Sequence, residues 1–118
     1  LNKLNSAFCI LILLINSSLY TQTQAELNRE AIKAYEKSDV ELNVLYKKFI
    51  SLIKEDSKTL FVQAQRNWIV FKEQQCKFEA SVYEGGSIQP LIKFGCLERV
   101  TKSRIKGLKA IIDESIPD

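Results

Sequence analysis

The chain has 118 residues, room for one domain, and carries 17 Lys+Arg against 14 Asp+Glu, a net charge of +3. So small an excess, with no basic block, argues against nucleic acid as a partner. Histidine is absent, which removes the commonest general base and the commonest metal ligand together.

In chain order, the first element reads as a targeting signal. Lys3 supplies a positive charge, residues 7–15 (AFCILILLI) are an unbroken apolar run, and Thr23-Gln24-Ala25 offers small residues for cleavage after Ala25. The run is too short to span a bilayer, which takes about twenty helical residues. The alternative is a short membrane anchor or an amphipathic N-terminal helix. A lipid-anchor cysteine would follow the apolar run, whereas Cys9 lies inside it. The expected division is therefore a signal peptide over 1–25 and a domain over 26–118, periplasmic or secreted, with no stable membrane insertion after cleavage. Removing the signal leaves two cysteines, Cys76 and Cys96, an even count that in an exported chain points to a disulfide.

Residues 26–84 contain neither Gly nor Pro and are rich in helix formers. The first helix carries Ile32, Tyr35, Asp39, Leu42, Tyr46, Phe49 and Ile53 at alternating threes and fours. Asp39 interrupts its stripe. Either Ser38-Asp39-Val40-Glu41 is a capping box that splits the segment, or one continuous helix holds an acid in its seam; continuity is favoured because no strong breaker is present.

A second helix is predicted from Ser57 as N-cap to Gly85-Gly86, where glycine accepts the left-handed cap conformation. Phe61, Ala64, Trp68, Phe71, Gln75, Phe78 and Val82 form a heptad seam, with Val62, Ile69, Cys76 and Tyr83 beside it. So wide an apolar face predicts that this helix packs against two partners. The third helix is expected from Ser87 as N-cap, with Pro90 in its first turn, to just before Pro117. Leu91, Ile92, Leu97, Val100, Leu108 and Ile111 supply its apolar side. Short connections make this an all-α, three-helix antiparallel bundle.

Cys76 and Cys96 then lie roughly 13 to 15 Å from the Gly-Gly tip on facing helices, at 1.5 Å per residue. An inter-helix disulfide fits that arrangement. Free or redox-active thiols are the alternative, but the pair is not Cys-X-X-Cys, and two cysteines without histidine cannot complete a zinc shell.

Three stretches, AELNREAIKAYEKSDVELNVLY, AQRNWIVFKEQQCKFEASVYEGGSIQPL and GCLERVTKSRIKGL, together resemble the LprI-like domain, a small exported helical domain named for a mycobacterial lipoprotein described as a lysozyme inhibitor. The resemblance runs from about residue 25 to 112. Its most specific pieces are Ala64-Gln65-Arg66-Asn67-Trp68 with Cys76, and Glu84-Gly85-Gly86-Ser87-Ile88 with Cys96. Relatives often carry a further cysteine near the start of the domain; Glu30 stands there in this chain. The first turn therefore lacks a covalent tie. The resemblance implies a non-catalytic binding protein whose partner is a protein, a lysozyme on the inhibitor reading, with no cofactor or metal.

An inhibitor of this kind would insert a protruding segment into a substrate cleft, and the candidate is the tip: Glu84, Gly85, Gly86, Ser87 and Gln89. The simpler reading is an ordinary helix-to-helix turn with a cap. Two features oppose insertion among catalytic carboxylates: Glu84 has the wrong sign, and without Lys3 the cations number 16 against 14 acids, so a basic lysozyme gains no steering. Trp68, on the seam, is read as core. Asp39, Gln75 and Arg104 interrupt apolar stripes, and a structural polar network in which Arg104 reaches Asp39 or Gln75 is one expectation, Arg104 extending to water the other. The acid pairs Glu55-Asp56 and Asp113-Glu114 read as solvated, and no nucleophile has a base in a known motif, so the chain is not expected to be an enzyme. The alternative function is an envelope structural or interaction module with another protein partner.

Overall fold

The computed structural model describes residues 22–115, so the signal-segment assignment falls almost wholly outside the described residues. Three helices follow one another: α1, Gln24–Leu52; α2, Glu55–Ser81; and α3, Gln89–Ser115. There is no strand among the described residues.

The Thr23 hydroxyl caps α1 by accepting from the Glu26 backbone N–H at 3.2 Å, and Glu26 adds negative charge to the first turn, where the helix dipole favours it. Ala25, the expected cleavage edge, lies within that turn. The helix runs through Ser38-Asp39 unbroken, as favoured. Ser38 does not cap a new start; its hydroxyl donates back to the Ala34 carbonyl at 3.1 Å.

Ile53 and Lys54 turn the chain into α2, whose N-cap falls three residues ahead of the expected Ser57. Lys54 is its N-cap and makes no side-chain cap bond. Glu55 and Asp56 instead place two carboxylates in the first turn, and Lys58 pairs with Glu55 at 2.8 Å. At the far end α2 stops at Ser81, ahead of the expected Gly85-Gly86 stop, with Val82 as C-cap still in the right-handed helical region; Gly85 takes φ +77°, the left-handed conformation that favours glycine, in the turn beyond. The turn closes through Gly86 N–H to the Tyr83 carbonyl at 2.9 Å and Gln89 N–H to the Gly86 carbonyl at 3.2 Å. Pro90 follows in the first turn of α3, where its missing N–H costs nothing.

Successive helices are antiparallel, and α1 and α3 consequently run parallel. Asn28 lies opposite Ser87, Tyr35 opposite Phe94 and Leu42 opposite Ile105 and Leu108. Against α2 the order reverses, with Ala80 facing Gln89, Cys76 facing Cys96 and Gln65 facing Arg104. The Cys76–Cys96 disulfide forms with Cα atoms 5.4 Å apart, both residues buried.

As the width of its apolar face predicted, α2 meets two partners: Phe61 packs on Tyr46 and Phe49 of α1 and Lys72 reaches Tyr35, while Cys76 and Gln65 meet Cys96 and Arg104 of α3. The central helix is nevertheless α3. Cys96, Leu97, Val100, Thr101, Ile105 and Leu108 are buried along α3, which packs against both neighbours. One cluster near the tip gathers Cys76, Cys96, Leu97 and Val100 with Tyr35, Trp68 and Phe94. A second gathers Leu42, Ile105 and Leu108 with Leu45, Phe61 and Trp68. Trp68 belongs to both and joins them.

The heptad seam expected on α2 is also corrected. Phe61 is half-buried, but Phe71 is 53% exposed, Phe78 68% and Val82 76%. A straight α-helix drifts about 20° per heptad against a 3.5-residue repeat, so a seam begun at Phe61 swings outward by roughly 60° over three heptads. The inward row is Phe61, Gln65, Trp68, Lys72, Cys76 and Ala80, spaced close to the 3.6-residue turn. An apolar row with Phe71, Phe78 and Val82 faces solvent instead.

Candidate functional site

Residues 81–87 are all exposed, so the tip projects from the bundle. It is held from three directions. The disulfide ties α2 to α3 beneath it, the Gln89 side-chain amide donates to the Ala80 carbonyl at 3.4 Å, and the Asn28 amide donates to the Ser87 carbonyl at 2.9 Å from α1. The Gln89 donor is thus committed within the turn, whereas the Glu84 and Ser87 side chains are exposed. Val82 and Tyr83 add exposed apolar surface on the α2 side of the turn.

The polar residues do not assemble as expected from sequence. Arg104 donates from Nε to Gln65 Oε1 at 3.0 Å, not to Asp39 or Gln75. Asp39 lies on α1 and accepts a long 3.4 Å bond from Asn43, one turn along its own helix. Gln75 donates to Glu79 Oε1 at 3.0 Å, and the Arg99 guanidinium holds both Glu79 oxygens at 2.8 Å. The hydrogen bonds from Gln75 and then Arg99 draw the Glu79 carboxyl below its usual range. The physical reason is rotation: with α2 turned to its 3.6-residue face, Gln65 points inward at the level of Arg104, and Gln75 serves the α2–α3 edge.

The same rotation buries Lys72, only 4% exposed. Its ammonium donates to the Tyr35 hydroxyl at 2.9 Å and lies 5.2 Å from the ring centroids of both Tyr35 and Trp68, with Glu73 Oε1 3.8 Å away. Hydrogen bonding and cation–π attraction together compensate for lost hydration. Sequence reasoning missed Gln65 and Lys72. The signal was present in their positions three before and four after Trp68, on the same face of any α-helix.

On the α2–α3 face is an open groove of ≈ 510 Å³, lined by Trp68, Phe71, Arg99, Val100, Ser103, Arg104 and Gly107. The Arg104 guanidinium carbon lies 5.9 Å from the Trp68 ring centroid, and partial burial pulls its pKa down. Among the described residues no carboxylate pairs with it, whereas Arg99 is neutralised by Glu79. No group of three or more metal-ligating side chains occurs among the described residues, and no described helix is long and apolar enough to cross a membrane.

The sequence has counterparts among known proteins. The chain is 28% identical over 106 residues to an uncharacterized protein of Rhizobium meliloti (strain 1021), covering 79% of this chain and 76% of the relative. No solved structure matches it. The family described as "Lysozyme inhibitor LprI" matches residues 15–108, beginning inside the segment read as a signal and taking in both cysteines and the tip. The match spans α1, α2 and α3 as far as Leu108, and the chain belongs to the LprI lysozyme inhibitor family.

Proposed function

We propose that this protein is a periplasmic or secreted, non-catalytic binding protein that inhibits a lysozyme-like glycan hydrolase by inserting its α2–α3 tip into the substrate cleft. The observation that carries the reading is membership of the LprI family across most of the chain. The tip supports it on physical grounds. It projects, its residues 81–87 are exposed, and its anchoring by the disulfide, Gln89 and Asn28 lowers the entropy lost on binding. A disulfide between buried cysteines is in keeping with an oxidising compartment.

The test is lysozyme-catalysed lysis of cell-wall substrate titrated with the disulfide-bonded protein. Stoichiometric inhibition is expected, with loss of potency in Ser87→Tyr, which adds bulk at an exposed tip position and leaves the Gly85 conformation alone. No inhibition across lysozymes of the main classes would overturn the inhibitor reading. Full potency in Ser87→Tyr would overturn the tip as its site.

A further inference from the structure

The groove between α2 and α3 shares no lining residue with the tip. From its geometry we infer that it is a docking site for an acidic polypeptide segment of a partner protein, with a carboxylate on Arg104 and an adjacent apolar side chain against Trp68 and Phe71.

Four observations converge on that ligand. Arg104 is a partly buried cation with no carboxylate partner among the described residues, an arrangement that an incoming anion improves. Its Nε is fixed by Gln65 at 3.0 Å, which orients the guanidinium plane while leaving the two terminal nitrogens without protein hydrogen-bond partners among the described residues; a carboxylate is suited to that fork. Arg99, the other cation of the groove, is already engaged by both oxygens of Glu79, so the uncompensated charge is a single one at Arg104. Trp68, Phe71 and Val100 form apolar walls beside it, and at Gly107 an added Cβ would meet nothing within 4 Å, leaving room for a ligand atom.

The volume and surroundings favour a peptide over a small free acid. A cavity of ≈ 510 Å³ exceeds a single carboxylate and its carbon, and exposed Phe78 and Val82 extend the apolar row of Phe71 along α2 beyond the groove. An extended segment would cover that row; a free acid would not. Charge complementarity selects an acidic segment over a neutral one.

The chain has one tryptophan, and it lines the groove, so tryptophan fluorescence, excited selectively over that of the four tyrosines, has its single source at this site. Full-length, disulfide-bonded protein is titrated with the capped peptide Phe-Asp-Phe, its isosteric Phe-Asn-Phe counterpart and N-acetylphenylalanine. Saturable quenching or enhancement by Phe-Asp-Phe is expected, at least tenfold tighter than by Phe-Asn-Phe, and reduced about tenfold in Arg104→Gln. Because Arg104→Gln also removes a contact to Gln65, Gly107→Leu serves as the second variant. It fills the groove at a helical position with free space, so binding is lost while helix content and melting temperature hold or rise. No saturable signal, equal affinity for the Asp and Asn peptides, or unaltered binding in Gly107→Leu would overturn the site. N-acetylphenylalanine binding as tightly as the peptide would overturn the polypeptide occupant.

Discussion

Breaking the Cys76–Cys96 bond without removing either sulfur is the most informative perturbation of the bundle. The cysteines are 20 residues apart, and the chain-entropy relation for a closed loop of that size gives about 11 cal/mol/K, hence about 3 kcal/mol at 25 °C. For a helical domain of fewer than 100 residues, that corresponds to a fall in melting temperature of roughly 12 to 24 °C. The assay is thermal unfolding followed by far-ultraviolet circular dichroism, on oxidised protein and on protein refolded under reductant with its free thiols verified by mass after alkylation. Both sulfurs are nearly inaccessible, so reduction must pass through unfolding and refolding. Reduced protein keeps its buried side chains, which isolates the covalent link from packing. The two forms should share a native helical spectrum at low temperature and differ only in midpoint. A fall of less than about 4 °C, with thiols shown to be free, would refute the argument that the link acts by restricting the unfolded chain.

Three further outcomes follow from polar side chains at the helix contacts. Tyr35→Phe removes the acceptor for the buried Lys72 ammonium and should cost about 1.5 to 3 kcal/mol in denaturant unfolding, a loss that should largely vanish in a Lys72→Met background; additivity of the two changes would refute the coupling. The Thr101 hydroxyl is buried with no hydrogen-bond partner, so Thr101→Val should be neutral or stabilising by about 1 kcal/mol, and clear destabilisation would show that the hydroxyl has a partner. Glu79 has its pKa lowered on folding from an ordinary 4.5, so its contribution is present above that value and is lost as pH falls through the lower folded pKa. The stability gap between wild type and Glu79→Gln should therefore close on acidification below pH 4.5; a gap independent of pH would overturn that role.

Much of the architecture was legible in the residues. A Gly- and Pro-free stretch gave long helices, Gly85 marked the turn through its need for positive φ, and the cysteines fell level about the hairpin. The continuous first helix was legible because Ser38-Asp39 carries a capping pattern without a breaker. The candidate site was less so. The tip was visible as a turn, but its ties to Gln89 and Asn28 were not, because Asn28 lies 59 residues from Ser87 in sequence. The groove was not visible at all, since its lining comes from two helices whose relative rotation no local pattern states.

What the sequence by itself determined is therefore local: three helices, the glycine turn between the last two, and which two cysteines can meet. Tertiary structure alone decided which helix is central, which face of α2 turns inward, and which partner Arg104 finds. The reason is that helix formation depends on neighbours three and four residues away, whereas rotation about the helix axis is settled by packing. On α2 a 3.5-residue pattern and a 3.6-residue helix part company over three heptads. That small angular mismatch exposes Phe71 and Phe78, buries Lys72 and Gln65, and brings Arg104 beside Trp68 at the groove.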